Sequence, residues 1–270
     1  MFEPTLPHCL ALVLAGVLSG GVNAIAGGGS LISFPTLTAL GVPPIVANAT
    51  NALAQVPGSF SSALGFREHV PHIREHLGPL SWPTWIGGGL GGLLLLNTSE
   101  KAFNTIVPVL ILVATLLLMF QPQIKAWTVG RKTNSPSPLG GEDLTQPAAR
   151  PWAVGYALQF VISVYGGYFG AGMGILMLAY LGLMIDADIH KLNALKSWLA
   201  VIINLVAGIV FALKGVVAWV PLLLVMTGSI IGGGVFSRMS QKVPSNSLRW
   251  IVVALGWVMF VAFARKAWLG

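Results

Sequence analysis

Cysteine and charged residues are scarce in this 270-residue sequence, and each scarcity excludes a class of protein. The single cysteine, Cys9, excludes an internal disulfide and a thiolate metal cluster within one chain. Charged residues make up 9% and hydrophobic residues 55%, with a mean hydropathy of +0.80, so the chain is too apolar for one soluble globule. No basic run alternates with aromatic residues, which excludes a nucleic-acid-binding protein.

Acidic residues are also few, and this disfavours an enzyme embedded in the membrane. The eight Asp and Glu residues fall almost entirely in predicted loops, and no Ser–His pair or dicarboxylate lies in an apolar segment. We therefore predict neither an enzyme nor a bound cofactor. The first residues, Met1 to Pro4, carry no basic side chain, so no signal peptide is predicted.

Long apolar segments account for most of the chain, and together they are long enough to cross a bilayer core of about 30 Å several times. The sequence therefore predicts an all-α, polytopic membrane protein with the lipid bilayer as a partner, placed in a bacterial inner membrane. The segments run over 8–26, 30–41, 45–66, 78–97, 102–121, 151–170, 173–185, 189–213, 216–237 and 246–264.

A polar stretch divides the chain into two similar halves. Residues 128–150 are rich in Ser, Pro and Gly, which predicts a flexible cytoplasmic linker between a first repeat (1–127) and a second (151–270). The halves match without a gap at an offset of 145 residues. The matched positions are Gly27 with Gly172, Gly29 with Gly174, Asn48 with Asn193, Ser59 with Asn204, and 87–89 with 232–234.

Each half has a glycine-rich break within its first apolar region, at Gly27-Gly28-Gly29-Ser30 and at residues 166–174. Consecutive glycines interrupt a helix, and in lipid the freed backbone groups must be buried in protein or line a cavity. We expect Ser30 to cap the helix that restarts there, and the N–H groups of that helix to attract an anion. Close helix packing is the alternative interpretation.

The distribution of positive charge favours inverted repeats. If each broken segment is a hairpin that returns to its own side, ten loop Lys and Arg residues lie on one side of the membrane and four on the other. If each segment crosses the membrane once, the division is nine to five. The hairpin model follows the positive-inside rule better. It predicts two inverted repeats, each a Gly-broken helical hairpin followed by three transmembrane helices, with both chain ends outside the cytoplasm.

Polar residues form a stripe in the segment after each break. Spacings of three and four place the first stripe on one helical face. Its members are Asn48, Asn51, Gln55, Ser59 and Ser62, and the equivalent residues of the second half are Asn193, Lys196, Ala200, Asn204 and Ala207. We expect the two stripes to face each other and to line a substrate path, although amides that only join helices are the alternative.

Lys196 is the one Lys or Arg placed inside an apolar segment and away from its ends. A charge near the middle of the bilayer costs about 2.5–3.5 kcal/mol, so it usually serves a function. Two roles are open. The ammonium is a counter-ion for an anionic substrate, or the side chain snorkels to the interface.

Three further patterns have structural explanations. Segment 67–76 contains three histidines, and His72 and His76 have the i, i+4 spacing of a metal pair, but interleaved charges and Pro71 favour a solvated cytoplasmic loop. Glycines 87–92 and 228–234 contain small-xxx-small spacings, which favour close helix contact within one chain or in a homodimer. Tryptophans near segment ends are expected at the membrane interface.

The motifs of both breaks resemble those of the sulfite exporter TauE/SafE family. The resemblance lies in Gly-Gly-Gly-Ser-Leu-Ile-Ser-Phe-Pro (27–35), Gly-Val-Pro-Pro (41–44), Ala-Asn-Ala-Thr-Asn (47–51), Gly-Ala-Gly-Met-Gly-Ile (170–175) and Asn-Ala-Leu-Lys (193–196). It covers about residues 10–265, and Met173 departs from the commoner glycine triplet. The resemblance implies a permease of small anions such as sulfite, sulfoacetate or thiosulfate, and an anion channel with the same lining is the alternative.

These observations define one candidate substrate site, formed where the breaks and stripes meet, and no metal site. Its expected residues are Asn23, Gly27, Gly28, Gly29, Ser30, Asn48, Asn51, Gln55, Gly172, Gly174, Asn193, Lys196, Ser197 and Asn204.

Overall fold

The fold is known from a computed structural model that describes residues 4–25, 27–124, 152–185, 187, 189–239 and 246–268. The main elements of the described residues are ten α-helices, and no strand occurs among these residues. The helices are α1 (Leu6–Ile25), α2 (Ser30–Ala39), α3 (Pro44–Gly65), α4 (Val70–Leu96), α5 (Glu100–Met119), α6 (Trp152–Tyr168), α7 (Met173–Met184), α8 (Ile189–Leu213), α9 (Trp219–Met239) and α10 (Asn246–Trp268).

The helices follow the predicted apolar segments closely, except at the start of α4. This helix begins at Val70, eight residues before the predicted segment, so the expected solvated loop over 67–76 is wrong. Only Arg67–His69 lie outside it, as a single 3₁₀ turn. Pro71 is tolerated because it occupies the first turn, where a missing N–H breaks no helical hydrogen bond. The predicted linker, 128–150, lies outside the described residues.

Several helices are long and apolar enough to cross a membrane, which confirms a multi-pass membrane protein. The five that meet this standard are α1, α5, α8, α9 and residues 249–268 of α10. The apolar helices α2 and α7 are too short to cross, with 10 and 12 residues. They follow the two glycine breaks, so each break produces a long helix followed by a short one.

Both glycine breaks reverse the chain and form the predicted hairpins. The hydroxyls of Ser19 in α1 and Ser33 in α2 are 3.0 Å apart, whereas 14 residues of continuous helix would separate them by about 21 Å. In the second hairpin, the Tyr180 hydroxyl of α7 donates a hydrogen bond to the Gln159 side chain of α6. Each short helix therefore returns along the long helix that precedes it.

The two halves pack in matching pairs. Helix α1 packs on α9 as α6 packs on α4, and α3 packs on α9 as α8 packs on α4. The equivalent helices α3 and α8 also contact each other, with Ser62 near Ser197 at one end and Leu53 near Gly208 at the other. They therefore run antiparallel. The inverted-repeat arrangement and the orientation in the membrane stay predictions.

Glycine stripes provide the close approaches between these pairs. A Cβ added to Gly228 or Gly232 of α9 would collide with the backbone of α1 at Val13 and Val17. A Cβ at Gly91 of α4 would collide with the backbone of α6 at Val164. The small-xxx-small spacings therefore serve contacts within one chain, as the packing interpretation expected. A homodimer stays a prediction.

Candidate functional site

The site lies where the two glycine breaks touch. A Cβ added to Gly174, at the start of α7, would lie 2.6 Å from the Cα of Gly27, and the reverse substitution gives 2.5 Å. Gly27 also has φ of +88°, in the left-handed region that L side chains rarely adopt. Position 27 therefore requires glycine both for its left-handed backbone and for its close contact with Gly174, and position 174 requires glycine for the same contact.

Asn23 holds the first break in shape. Its Oδ1 accepts a hydrogen bond of 2.8 Å from the backbone N–H of Gly29, the residue that precedes α2. Its Nδ2 donates to Oε1 of Gln55 at 3.2 Å. The expectation that Ser30 caps the restarting helix is wrong, because Ser30 is already the first helical residue and Gly29 has no side chain to act as a cap. The amide of Asn23 reaches across the break and satisfies this N–H instead.

A buried network of neutral side chains extends from this amide into α3. The Nε2 of Gln55 donates to the Ser19 hydroxyl at 2.5 Å, and the Ser33 hydroxyl donates to Oδ1 of Asn51 at 2.5 Å. Asn51 and Gln55 therefore join α1, α2 and α3. This role matches the alternative interpretation, in which stripe amides connect helices. The equivalent positions in the second half are mostly apolar, and there Gln159 of α6 donates instead to Thr84 of α4 and accepts from Tyr180 of α7.

Lys196 in α8 joins the two halves at the first break. Its ammonium donates to the backbone carbonyl oxygens of Asn23 and Ala24 at 2.9 and 3.2 Å, and to Oδ1 of Asn193 at 2.8 Å. Only 2% of the residue is exposed, so the snorkelling interpretation is wrong. The ammonium lies instead at the C-terminal end of α1, where the helix dipole is negative.

A small, partly open cavity adjoins these contacts. Its volume is about 20 Å³, room for one water molecule. Seven expected residues line it: Asn23, Gly27, Ser30, Gly174, Lys196, Ser197 and Asn204. The other five lining residues are Ser59, Ser62, Gly170, Met173 and Ala200. The first two and Ala200 belong to the stripes expected to line the substrate path, and the remaining two belong to the second break, but none of the five is in the predicted set of site residues.

The other expected residues lie outside the cavity lining. Gly28 faces the Leu118 side chain, and Gly172 adopts φ of +77° and packs on Ala114. Asn48 donates a hydrogen bond of 2.8 Å to the backbone carbonyl of Tyr168 at the end of α6. The remaining four, which are Gly29, Asn51, Gln55 and Asn193, take part in the hydrogen bonds described above.

The positive ends of two helix dipoles lie at the cavity. Ser30 and Gly174 are in the first turns of α2 and α7, where the helix dipole is positive. Lys196 adds a full charge, and no Asp or Glu is among the described residues that line the cavity. Two helix starts and one buried ammonium therefore favour an anion.

No group of three or more His, Cys, Asp or Glu residues in the described part of the chain could hold a metal ion. Two histidines of segment 67–76 make ring contacts. His69 stacks on His190 with ring centroids 5.9 Å apart, and His76 stacks on Trp152 at 5.3 Å.

Comparison with known proteins links this architecture to transport. The sequence model described as "Sulfite exporter TauE/SafE" matches residues 12–263. A "Probable membrane transporter protein" of Haemophilus influenzae is 28% identical, over 92% of this chain and 91% of the relative. The "Probable membrane transporter protein ORF9" of Sinorhizobium is 26% identical, over 97% of this chain and 97% of the relative. The "Probable membrane transporter protein YfcA" of Escherichia coli K12 is also 26% identical, over 96% of this chain and 90% of the relative. No solved structure matches the chain.

Proposed function

The chain belongs to the sulfite exporter TauE/SafE family and is a membrane transporter, and we propose that it carries small anions of the sulfite and sulfonate class. The proposed substrate site is the cavity between the starts of α2 and α7, beside Lys196. The proposed location is a bacterial inner membrane.

The observation that carries this proposal is the convergence of positive groups on one small cavity. In transporters with interrupted helices, N-terminal ends of half-helices face the anionic groups of substrates. Here two such ends, from opposite halves, adjoin one cavity that also contacts a buried ammonium. The hydroxyls of Ser59, Ser62 and Ser197 line the same space and can donate hydrogen bonds to oxyanion oxygens.

The size of the cavity suggests how transport proceeds. A volume of about 20 Å³ holds one water molecule but not an oxyanion with three oxygens. The substrate therefore requires the two hairpins to separate at the contact between Gly27 and Gly174. Rigid-body movement of one repeat against the other would open this contact first to one side and then to the other.

Counterflow in proteoliposomes tests the function. Vesicles loaded with unlabelled sulfite should accumulate labelled sulfite from outside, with saturation, and an excess of sulfoacetate or thiosulfate should compete. Acetate at the same concentration is the matched control for a small anion without sulfur. Ohmic single-channel currents without counterflow would support the channel alternative and contradict a carrier.

Replacing Lys196 tests the proposed site. Lys196→Met keeps most of the stem volume and removes the charge, so sulfite affinity should fall by about 1.5–3 kcal/mol, the value of hydrogen bonds to charged groups. This is about tenfold or more in dissociation constant. Lys196→Arg should keep part of the affinity. Calorimetric titration measures both, and an unchanged dissociation constant in Lys196→Met would place the anion elsewhere.

A further inference from the structure

The C-terminal end of α1 forms a cluster of oxygen atoms around the Lys196 ammonium. The helix ends at Ile25, so the carbonyl groups of Asn23 and Ala24 lie in its last turn, where they have no partner within the helix. The Asn193 side chain contributes a third oxygen. The three oxygens lie 2.8–3.2 Å from Nζ, and they come from both halves of the chain.

Such a cluster is the kind of site that binds a coupling cation. In transporters with broken helices, C-terminal ends of half-helices and unwound carbonyl groups coordinate Na⁺ or H⁺, while N-terminal ends face the anionic substrate. Carbonyl and amide oxygens are ligands for hard monovalent cations as well as acceptors for an ammonium. In this protein the position at the end of α1 is already filled by a cation that is covalently attached to α8.

The second break shows the same arrangement without the ammonium. The residue equivalent to Asn23 is Tyr168, and the residue equivalent to Asn193 is Asn48. At the end of α6 the Asn48 amide donates directly to the Tyr168 carbonyl at 2.8 Å. At the end of α1 the ammonium stands between the carbonyl of Asn23 and the amide oxygen of Asn193. The charge is therefore a specific addition to one break.

We propose that the Lys196 ammonium occupies a cation site at the end of α1 as a tethered cation, and that the protein therefore needs no dissociable Na⁺ to bind or carry its anion. This proposal rests on the proposed function for transport, but the cation site can be tested without any substrate. The fixed positive charge holds the two hairpins together and stays beside the cavity throughout the cycle.

Two substitutions distinguish an empty cation site from a filled one. Lys196→Ala removes the ammonium and its stem, so a monovalent cation can enter among the three oxygens. Lys196→Met also removes the charge, but the methionine side chain still occupies the space that the lysine stem fills in the wild type. Lys191→Ala, which removes a positive charge from the same helix, is the control for surface charge.

The measurement is the melting temperature of purified protein in NaCl, with choline chloride replacing it at constant ionic strength. A ligand that binds the folded state raises apparent stability. Lys196→Ala should show a saturable rise of about 3 °C or more with Na⁺ or with propylammonium. Wild type, Lys196→Met and Lys191→Ala should show no such rise. Equal responses in Lys196→Ala and Lys196→Met, or a saturable sodium response in wild type, would overturn the proposal.

A second measurement uses the wild-type protein alone. Its sulfite counterflow should be unchanged when choline replaces Na⁺, and a loss greater than threefold would overturn the proposal. If wild type carries no sulfite, the proposed function fails, but the melting temperatures still decide the cation site. If Lys196→Ala can be purified only in Na⁺, that result supports the site. If it cannot be purified in either salt, wild-type melting in Na⁺ and choline decides alone.

Discussion

Gly174→Ala tests whether contact between the two breaks controls both stability and transport. The added Cβ would lie 2.6 Å from the Cα of Gly27 and 3.3 Å from Cδ of Lys196. Ordinary van der Waals contact begins near 3.4 Å, so the two hairpin tips must separate by about 0.8 Å. Both close neighbours of the new methyl group belong to the proposed site, and the nearest one is backbone that cannot rotate away.

The displacement is large enough to break a hydrogen bond. The Lys196 ammonium is 2.9 Å from the Asn23 carbonyl oxygen, and a further 0.8 Å along this direction exceeds hydrogen-bond distance. Overpacking of a well-packed core costs about 1–3 kcal/mol. For a chain of this length that corresponds to a fall of about 2–12 °C in melting temperature. If the same cost falls on the site, sulfite counterflow should fall by about fivefold or more, because each 1.4 kcal/mol is a factor of ten.

Gly28→Ala is the matched control, since it adds the same methyl group to the same break. Its Cβ would meet only side-chain atoms of Leu118, the nearest at 3.4 Å, and Gly28 does not line the cavity. Stability should change by less than about 0.5 kcal/mol, and counterflow should stay near the wild-type rate. Thermal unfolding in detergent and proteoliposome flux measure both variants. Wild-type stability and flux in Gly174→Ala would refute the contact as a determinant of function.

Two further predictions concern the first break and the membrane orientation. Asn23→Ala leaves the Gly29 N–H without its acceptor, so the protein should lose about 1–2 kcal/mol of stability in thermal unfolding, whereas the exposed control Asn97→Ala should change little. In a Cys9→Ser background, Glu68→Cys should react with an impermeant thiol reagent from the cytoplasmic side and Lys101→Cys from the opposite side. Labelling of both from one side would contradict the hairpin topology.

Local sequence features are enough to predict the helical membrane class and the position of both breaks. These features depend on local chemistry, because apolar segments of sufficient length partition into lipid and glycine runs interrupt helices wherever they occur. Helical periodicity placed Asn51, Gln55 and Ser59 on one buried face, as the structure shows. The start of α4 was misplaced because Pro71 and nearby charges are compatible with both a loop and a first helical turn.

Long-range packing sets which polar residues connect helices and which line the cavity. Gln55 and Ser59 are one turn apart on α3, yet Gln55 joins helices of its own half whereas Ser59 faces the space between the halves. Two backbone partners of Lys196 lie 172 and 173 residues away in the sequence, whereas Asn193 lies only three residues away. Such contacts depend on how two hairpins from different halves approach each other, and side-chain periodicity within one helix does not encode that approach.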